Sequence, residues 1–281
     1  MEDLVEGVRR LLGRAPGTVT ALGGGTDHEA YDVDGVFVVR RQRDPDDDPT
    51  AVDREARLLA VVASVSPVPV PEVVATDPRA GLLVVRKLPG TSLLDDPPTD
   101  PTALVDQVTA FLLAVHGLPE RLVAGLVEYD DDPLDVFLAE AAETLPRVAP
   151  ALSPDARRGV ERFLASPAPA EPSAVVFCHH DLGAEHLLVG RDRGTLTGVI
   201  DWSDAALTDP ARDLGRLYRD LGPEFAARVC AGSDTRGDAG LLDRAAFLAR
   251  CFLLEDLAFG LDTGDRRYTD AALRHLARTF A

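Results

Sequence analysis

Between positions 178 and 201 the chain concentrates the side chains best able to do chemistry: Cys178, His179, His180, Asp181, His186 and Asp201. Two short apolar runs, 187–189 and 196–200, follow His186 and are joined by a polar turn through Arg191, Asp192 and Gly194. Antiparallel pairing of such runs brings the residues just outside its ends side by side, which sets His186 next to Asp201. With Asp181 on the loop before the hairpin, three groups converge. That set suits phosphoryl transfer, in which one carboxylate orients an attacking hydroxyl and takes its proton while the others hold magnesium against phosphates. A transition-metal cluster of Cys178, His179, His180 and His186 is the competing reading. It is disfavoured, because adjacent histidines cannot easily face one ion and no zinc spacing fits.

The elements that must position these groups divide the chain in two. A helix over 2–13 is followed by a strand, a glycine turn and a second strand within TVTALGGGTDHEAYDV, and Asp34-Gly35 signals a hairpin into VFVVRR. VDREARLLAVVASV has helical spacing, with Val52, Ala56, Leu59 and Val62 on one face, and PVPVPEVVAT and GLLVVRKLPG read as two more strands. Five strands with one inserted helix make a small lobe. From about residue 101 helical patterns dominate, and the stretch around 178–201 is the one strand-like island among them. The expected class is α+β, with a β-rich lobe over 1–87 and a larger helical lobe over 88–281 carrying the reactive hairpin.

HHDLGAEH and, after the hairpin, GVIDWSDAALTDPARDLG resemble the signature of the aminoglycoside phosphotransferase family, a branch of the protein-kinase-like superfamily. The resemblance implies a two-lobed kinase-like fold and transfer of the γ-phosphoryl group of ATP or GTP to a small-molecule hydroxyl, with Mg2+ as cofactor. It makes Asp181 the catalytic base and His186 and Asp201 the metal ligands. Such enzymes need a basic residue on the strand after the glycine loop, paired with a helical glutamate, and Arg40 and Glu55 stand at those positions. Lysine is usual there, but the planar fork of arginine also neutralises phosphate. The sole lysine, Lys87, lies at the expected hinge, so the clamp falls to Arg40.

Further positions follow from the same resemblance. Gly23, Gly24, Gly25 and Thr26 fall where a phosphate-covering loop belongs, and the backbone of Arg86 and Leu88 falls where a purine base is held. His179 is implied to brace the reactive loop and Trp202 to pack beneath it, while His180 has no assigned chemistry. Asp209 and Asp213 are expected to cap a helix, and His116 to cap the end of its own.

Composition limits the partners. Lys and Arg number 29 against 47 Asp and Glu, a formal charge of −18, which argues against nucleic acid. The resemblance implies an aminoglycoside-type antibiotic as acceptor, a polycation that the same charge would attract. Asp204, Glu255 and Asp256 are its candidate contacts, with Asp262 and Asp265 nearby. His186 and FGLDTGDRRY also resemble macrolide 2′-phosphotransferases, and a metabolic or biosynthetic kinase is a further alternative. A nucleotide-binding pseudokinase is the alternative of another class, opposed by the presence of both Asp181 and Asp201. Cys178, Cys230 and Cys251 are too scattered for a disulfide framework. The start reads as an amphipathic helix rather than a signal peptide, and no apolar run of about 18 residues spans a membrane. The expected location is cytoplasmic, and the expected partners are a nucleoside triphosphate and a small molecule.

Overall fold

In the computed structural model, which describes residues 2–24, 28–45, 48–233 and 238–280, the chain opens with α1 (Glu2–Leu12). It continues through β1 (Val19–Gly24), β2 (His28–Val33), β3 (Phe37–Gln42), α2 (Ala51–Ala63), β4 (Val73–Asp77) and β5 (Leu82–Arg86). The strands form one antiparallel sheet in the order β1-β2-β3-β5-β4. At the expected hairpin, Asp34 and Gly35 both take left-handed backbone, with φ of 58° and 68°, and Val33 pairs with Phe37. The Asp34 carboxylate holds that turn by accepting from the amides of Gly17 and Thr18.

Successive side chains of a strand point to opposite faces, and β5 shows what each face meets. Leu82 and Val84 join a core with Leu4 and Val8 of α1, whereas Leu83 and Val85 join one with Leu58, Leu59 and Val62 of α2. Burial on both faces explains why residues 82–85 of β5 form an unbroken apolar run. The small lobe thus carries both expected helices, with α1 covering the face that α2 leaves open.

Beyond β5 come β6 (Thr91–Ser92), α3 (Val105–His116), α4 (Glu120–Val123), α5 (Leu134–Val148) and α6 (Pro154–Leu164). Four short strands follow: β7 (Val176–Cys178), β8 (Leu187–Val189), β9 (Leu196–Val199) and β10 (Ala206–Thr208). The chain closes with α7 (Ala211–Leu221), α8 (Pro223–Gly232), α9 (Leu241–Thr263) and α10 (Arg266–Thr279). One hydrophobic core runs from Val52 on α2 to Leu276 on α10.

Two small sheets, β10-β7 and β6-β8-β9, position the reactive island. Cys178 pairs with Ala206, and Leu187 pairs with Val199. Segments 179–186 and 200–205 are thus the loops left between these strands, each held at both ends by ladder hydrogen bonds. Gly90 lets β6 reach this sheet: its φ is 118°, and a Cβ there would fall 2.3 Å from Thr197 Oγ1 and 2.7 Å from the Val189 carbonyl oxygen.

Candidate functional site

Two backbone reversals aim the loop side chains. His180 has φ 71° and Asp201 has φ 62°, a left-handed conformation costing a non-glycine residue about 1–2 kcal/mol. The fully buried carboxylate of Asp213 on α7 offsets that cost at the first loop. Its Oδ1 accepts from the His180 amide at 2.7 Å, and its Oδ2 accepts from the His179 amide at 3.1 Å and from His116 Nε2 at 2.9 Å. Burial opposes the Asp213 charge, but His116 and its other donors outweigh it and hold the carboxyl below its usual range. Asp213 therefore braces the loop instead of capping α7, and His116 reaches across to it instead of capping α3. Asp209 does cap, accepting from the Ala211 amide at 2.9 Å, and it also pairs with Arg244 at 2.7 Å.

His179 is buried on Trp202, with ring centroids 4.5 Å apart, and its Nε2 bonds the Ile200 carbonyl at 3.0 Å. Trp202 itself is buried against Phe111 and Phe177. On this floor sits Asp181. Its Oδ1 is 2.9 Å from Arg216 Nε, and its Oδ2 is 3.4 Å from His186 Nδ1. His186 Nδ1 also lies 2.7 Å from the Asp181 carbonyl oxygen. A carbonyl only accepts, so Nδ1 carries the proton, and in the neutral ring Nε2 turns its lone pair toward Asp201 Oδ2, 3.8 Å away. Asp181, Glu185 and His186 also bring ligand atoms within 4.8 Å of one another.

The electrostatics keep the carboxylates charged. Burial favours neutral Asp181, but Arg216 and then His186 and His179 outweigh it and hold the carboxyl below the usual range. Asp201 is pulled well below that range, with Arg40, His186 and His28 overcoming its burial. Burial likewise opposes the charged His186 ring, yet Asp181, Glu185 and Asp201 raise its pKa.

Arg40 on β3 links the two lobes. It pairs with Glu55 of α2, bonds the ring of His28, and places Nη2 3.2 Å from Asp201 Oδ1. Burial pushes the Glu55 carboxyl up against the pull of Arg40. Beside this pair, a cavity of about 210 Å³ is lined by Leu22, Val38, Val85, Ile200, Arg86 and Leu88. Lys87 turns away from the cleft to pair with Asp32 at 2.5 Å. Gly24 ends β1 opposite Glu29, whereas Gly25 and Thr26 lie outside the described residues.

Of the three candidate acceptor contacts, Asp204 and Glu255 both lie within electrostatic reach of Arg216, the residue that holds Asp181. Asp204 is exposed and lines a second cavity, of about 590 Å³, with Arg40, Glu55, Asp130 and His180. Glu255 and Asp256 lie on α9, where Glu255 is exposed but Asp256 pairs with Arg219 at 2.9 Å. His180, left without a role from sequence, bonds the Asp204 carbonyl at 3.0 Å through Nδ1 and meets Asp130 at 3.1 Å through Nε2.

Sequence reasoning missed the arginines of α7. Arg216 holds Asp181, donates to the His180 carbonyl at 3.2 Å and lies over the Phe252 ring at 4.4 Å. Arg219, buried behind the loop, meets Asp220 at 2.8 Å, Asp256 at 2.9 Å and Glu185 at 3.4 Å. Asp220 in turn accepts from the Ala184 amide at 2.7 Å. The available signal was the spacing in ARDLGRLYRDL: Asp213, Arg216 and Asp220 recur at three and four residues and share one helical face.

With this geometry in place, comparison with known proteins is decisive at the level of family. A model of the phosphotransferase enzyme family matches residues 18–248. The chain belongs to that family. This family member is 36% identical over 196 residues to the N-acetylmuramate/N-acetylglucosamine kinase of Caulobacter vibrioides, covering 64% of this chain and 53% of that protein. It is 32% identical over 192 residues to the viomycin phosphotransferase of Streptomyces vinaceus, covering 65% of each. The chain thus spans between half and two thirds of the length of these curated relatives. Its fold matches that of APH(2″)-IIIa in complex with GDP and kanamycin, with a TM-score of 0.72 at 21% identity, covering 99% of this chain and 98% of the other. That likeness establishes the two-lobed architecture.

Proposed function

We propose that the chain transfers the γ-phosphoryl group of ATP or GTP to a hydroxyl of a small molecule, with magnesium as cofactor. The observation that carries this reading is the meeting of Asp181, His186 and Asp201 on two pinned loops, within reach of Arg40. Residues 1–87 supply the nucleotide side in this reading, and 88–281 the acceptor side. The purine lies in the 210 Å³ cavity against Arg86 and Leu88. Arg40, oriented by Glu55, clamps the phosphates. The acceptor oxygen attacks the γ-phosphorus, the bond to the β–γ bridging oxygen breaks, and the nucleoside diphosphate leaves with that electron pair. Asp181 takes the hydroxyl proton at Oδ2, because Arg216 occupies Oδ1.

His186 Nε2 and Asp201 Oδ2 face each other at 3.8 Å and fit a divalent cation. Such an ion, when bound, supplies charge neutralisation at the phosphates. Relatives named for N-acetylmuramate/N-acetylglucosamine and for viomycin support a small hydroxyl-bearing acceptor. The test is Asp181→Asn. Turnover should fall by about 10²–10⁴ while the nucleotide Kd stays within about threefold, since only the base is lost. Wild-type turnover in that variant would refute the assignment.

A further inference from the structure

The backbone of His180 is left-handed, with φ 71°, a conformation that glycine adopts without strain. A histidine accepts the strain here, and each of its polar atoms is engaged. Its amide donates to Asp213 Oδ1 at 2.7 Å, and its carbonyl accepts from Arg216 at 3.2 Å. Nδ1 lies 3.0 Å from the Asp204 carbonyl oxygen, which can only accept, so Nδ1 carries a proton. Nε2 lies 3.1 Å from Asp130 Oδ2 and 3.3 Å from Arg212 Nη1.

The partners of Nε2 are themselves anchored. Buried Arg212 meets both Asp130 oxygens, at 2.9 and 3.0 Å, and its guanidinium lies over the Phe137 ring at 4.5 Å. Residues 128–130 run beside β10 as well. Leu207 donates to the Glu128 carbonyl at 2.9 Å, and Asp130 donates to the Leu207 carbonyl at 3.1 Å.

The adjacent histidines therefore hold one loop at two points. His179 Nε2 bonds the Ile200 carbonyl at 3.0 Å and His180 Nδ1 the Asp204 carbonyl, with Asp201 between them. Asp201 is itself left-handed, with φ 62°. Partial desolvation and then the like charges of Asp181 and Asp201 push the Asp204 carboxyl up. The two loops thus repel each other where they approach, and a tie between them opposes that repulsion.

Resting on the reading in which Asp201 holds the metal, we propose that His180 is a positioning residue. Its ring ties the Asp204 carbonyl to the Asp130–Arg212 pair and so fixes the loop that aims the Asp201 carboxylate. The loops of Asp181 and Asp201 then share one anchor on a third segment, 128–130.

His180→Gly removes the ring and the backbone strain together, so the Tm of the full chain should stay within about 4 °C of wild type. Hydrogen exchange in the protein free of nucleotide and metal should quicken about tenfold at the amides of 201–205 and stay unchanged in β5 and α9. His180→Asn tolerates left-handed backbone but is too short to bridge Asp204 and Asp130, and it should match the glycine variant. Calorimetry with ADP and with GDP, each with and without Mg2+, gives the second readout. The factor by which Mg2+ tightens the nucleotide should shrink about tenfold in either variant, while the metal-free Kd stays within about twofold. Imidazole at about 50 mM should restore both readouts in His180→Gly, because the vacated space borders the 590 Å³ cavity. Wild-type exchange at 201–205, or a wild-type effect of Mg2+, overturns the assignment. So does a large fall in Tm with exchange quickened throughout the chain, which would make the ring a packing element alone. A wild type whose nucleotide affinity ignores Mg2+ overturns the metal reading itself, and the exchange measurement, which needs no metal, tells that failure apart.

Discussion

Replacing Asp213 with asparagine tests whether the reactive loop is held from α7. The wild-type carboxylate accepts three hydrogen bonds, from the amides of His179 and His180 and from His116 Nε2. Asparagine keeps one oxygen, which can serve the shortest of them, the 2.7 Å bond from the His180 amide. Its NH2 group then opposes the other two donors. Hydrogen bonds to a buried charge are each worth about 1.5–3 kcal/mol net, so losing two costs about 3 kcal/mol or more. For a chain of this size that is roughly 6–12 °C in Tm. The left-handed His180 loses its anchor at the same time, so kcat should fall by about 10² with misplacement of Asp181. The pH dependence has a definite sign. The folded-state pKa of Asp213 lies below its unfolded value, so its stabilisation is complete above about pH 4 and is lost as pH falls through the lower folded value. The Tm gap between wild type and Asp213→Asn should therefore narrow as pH drops below about 4. Thermal melts across that range, with turnover at neutral pH, make the assay. A variant with wild-type Tm and kcat would refute the reasoning.

Two further outcomes follow from the same contacts. In Arg216→Met, the group that holds Asp181 below the usual carboxylate range is gone, so the acid limb of the kcat–pH profile should move up by about 1–3 units; an unmoved limb would show that Arg216 does not set the charge of Asp181. In Arg40→Lys, one ammonium cannot keep Glu55, His28 and Asp201 together as the guanidinium does, and nucleotide affinity measured by calorimetry should fall about tenfold. Unchanged affinity would remove Arg40 from the phosphate clamp.

Legibility from sequence tracked the range of the contact. The neighbourhood of His186 and Asp201 was readable because it depends only on the short pairing of 187–189 with 196–199. The strands of the small lobe were readable from turn chemistry at Asp34-Gly35 and from the apolar run of β5. The helix over 2–13 was readable from its amphipathic pattern, but the surface that receives it was not, because periodicity shows an apolar face and not its partner. The pairing of the candidate acceptor acids was hidden for another reason. Net charge is a sum, and it carries no record of Arg219 on Asp256 or Arg147 on Asp262.

The arginines of α7 expose the physical basis of the remaining gap. A charged helical face ordinarily means a solvated one, and ARDLGRLYRDL reads that way until its neighbours are known. In the fold, Arg212, Asp213 and Arg219 of this helix are buried. Each finds its partner on a segment distant in sequence: Asp130 for Arg212, His116 and the 179–180 amides for Asp213, Asp256 and Glu185 for Arg219. Asp213 and Arg216 stand one turn apart, so the residue that fixes the loop backbone and the residue that fixes the Asp181 carboxylate move as one rigid unit. That arrangement lets the 179–186 loop keep a single geometry despite the left-handed backbone of His180. A loosened α7 would disturb the direction of Asp181 and its charge together, which is why Asp213→Asn and Arg216→Met are expected to diverge: the first in both kcat and Tm, the second chiefly in the pH at which activity appears.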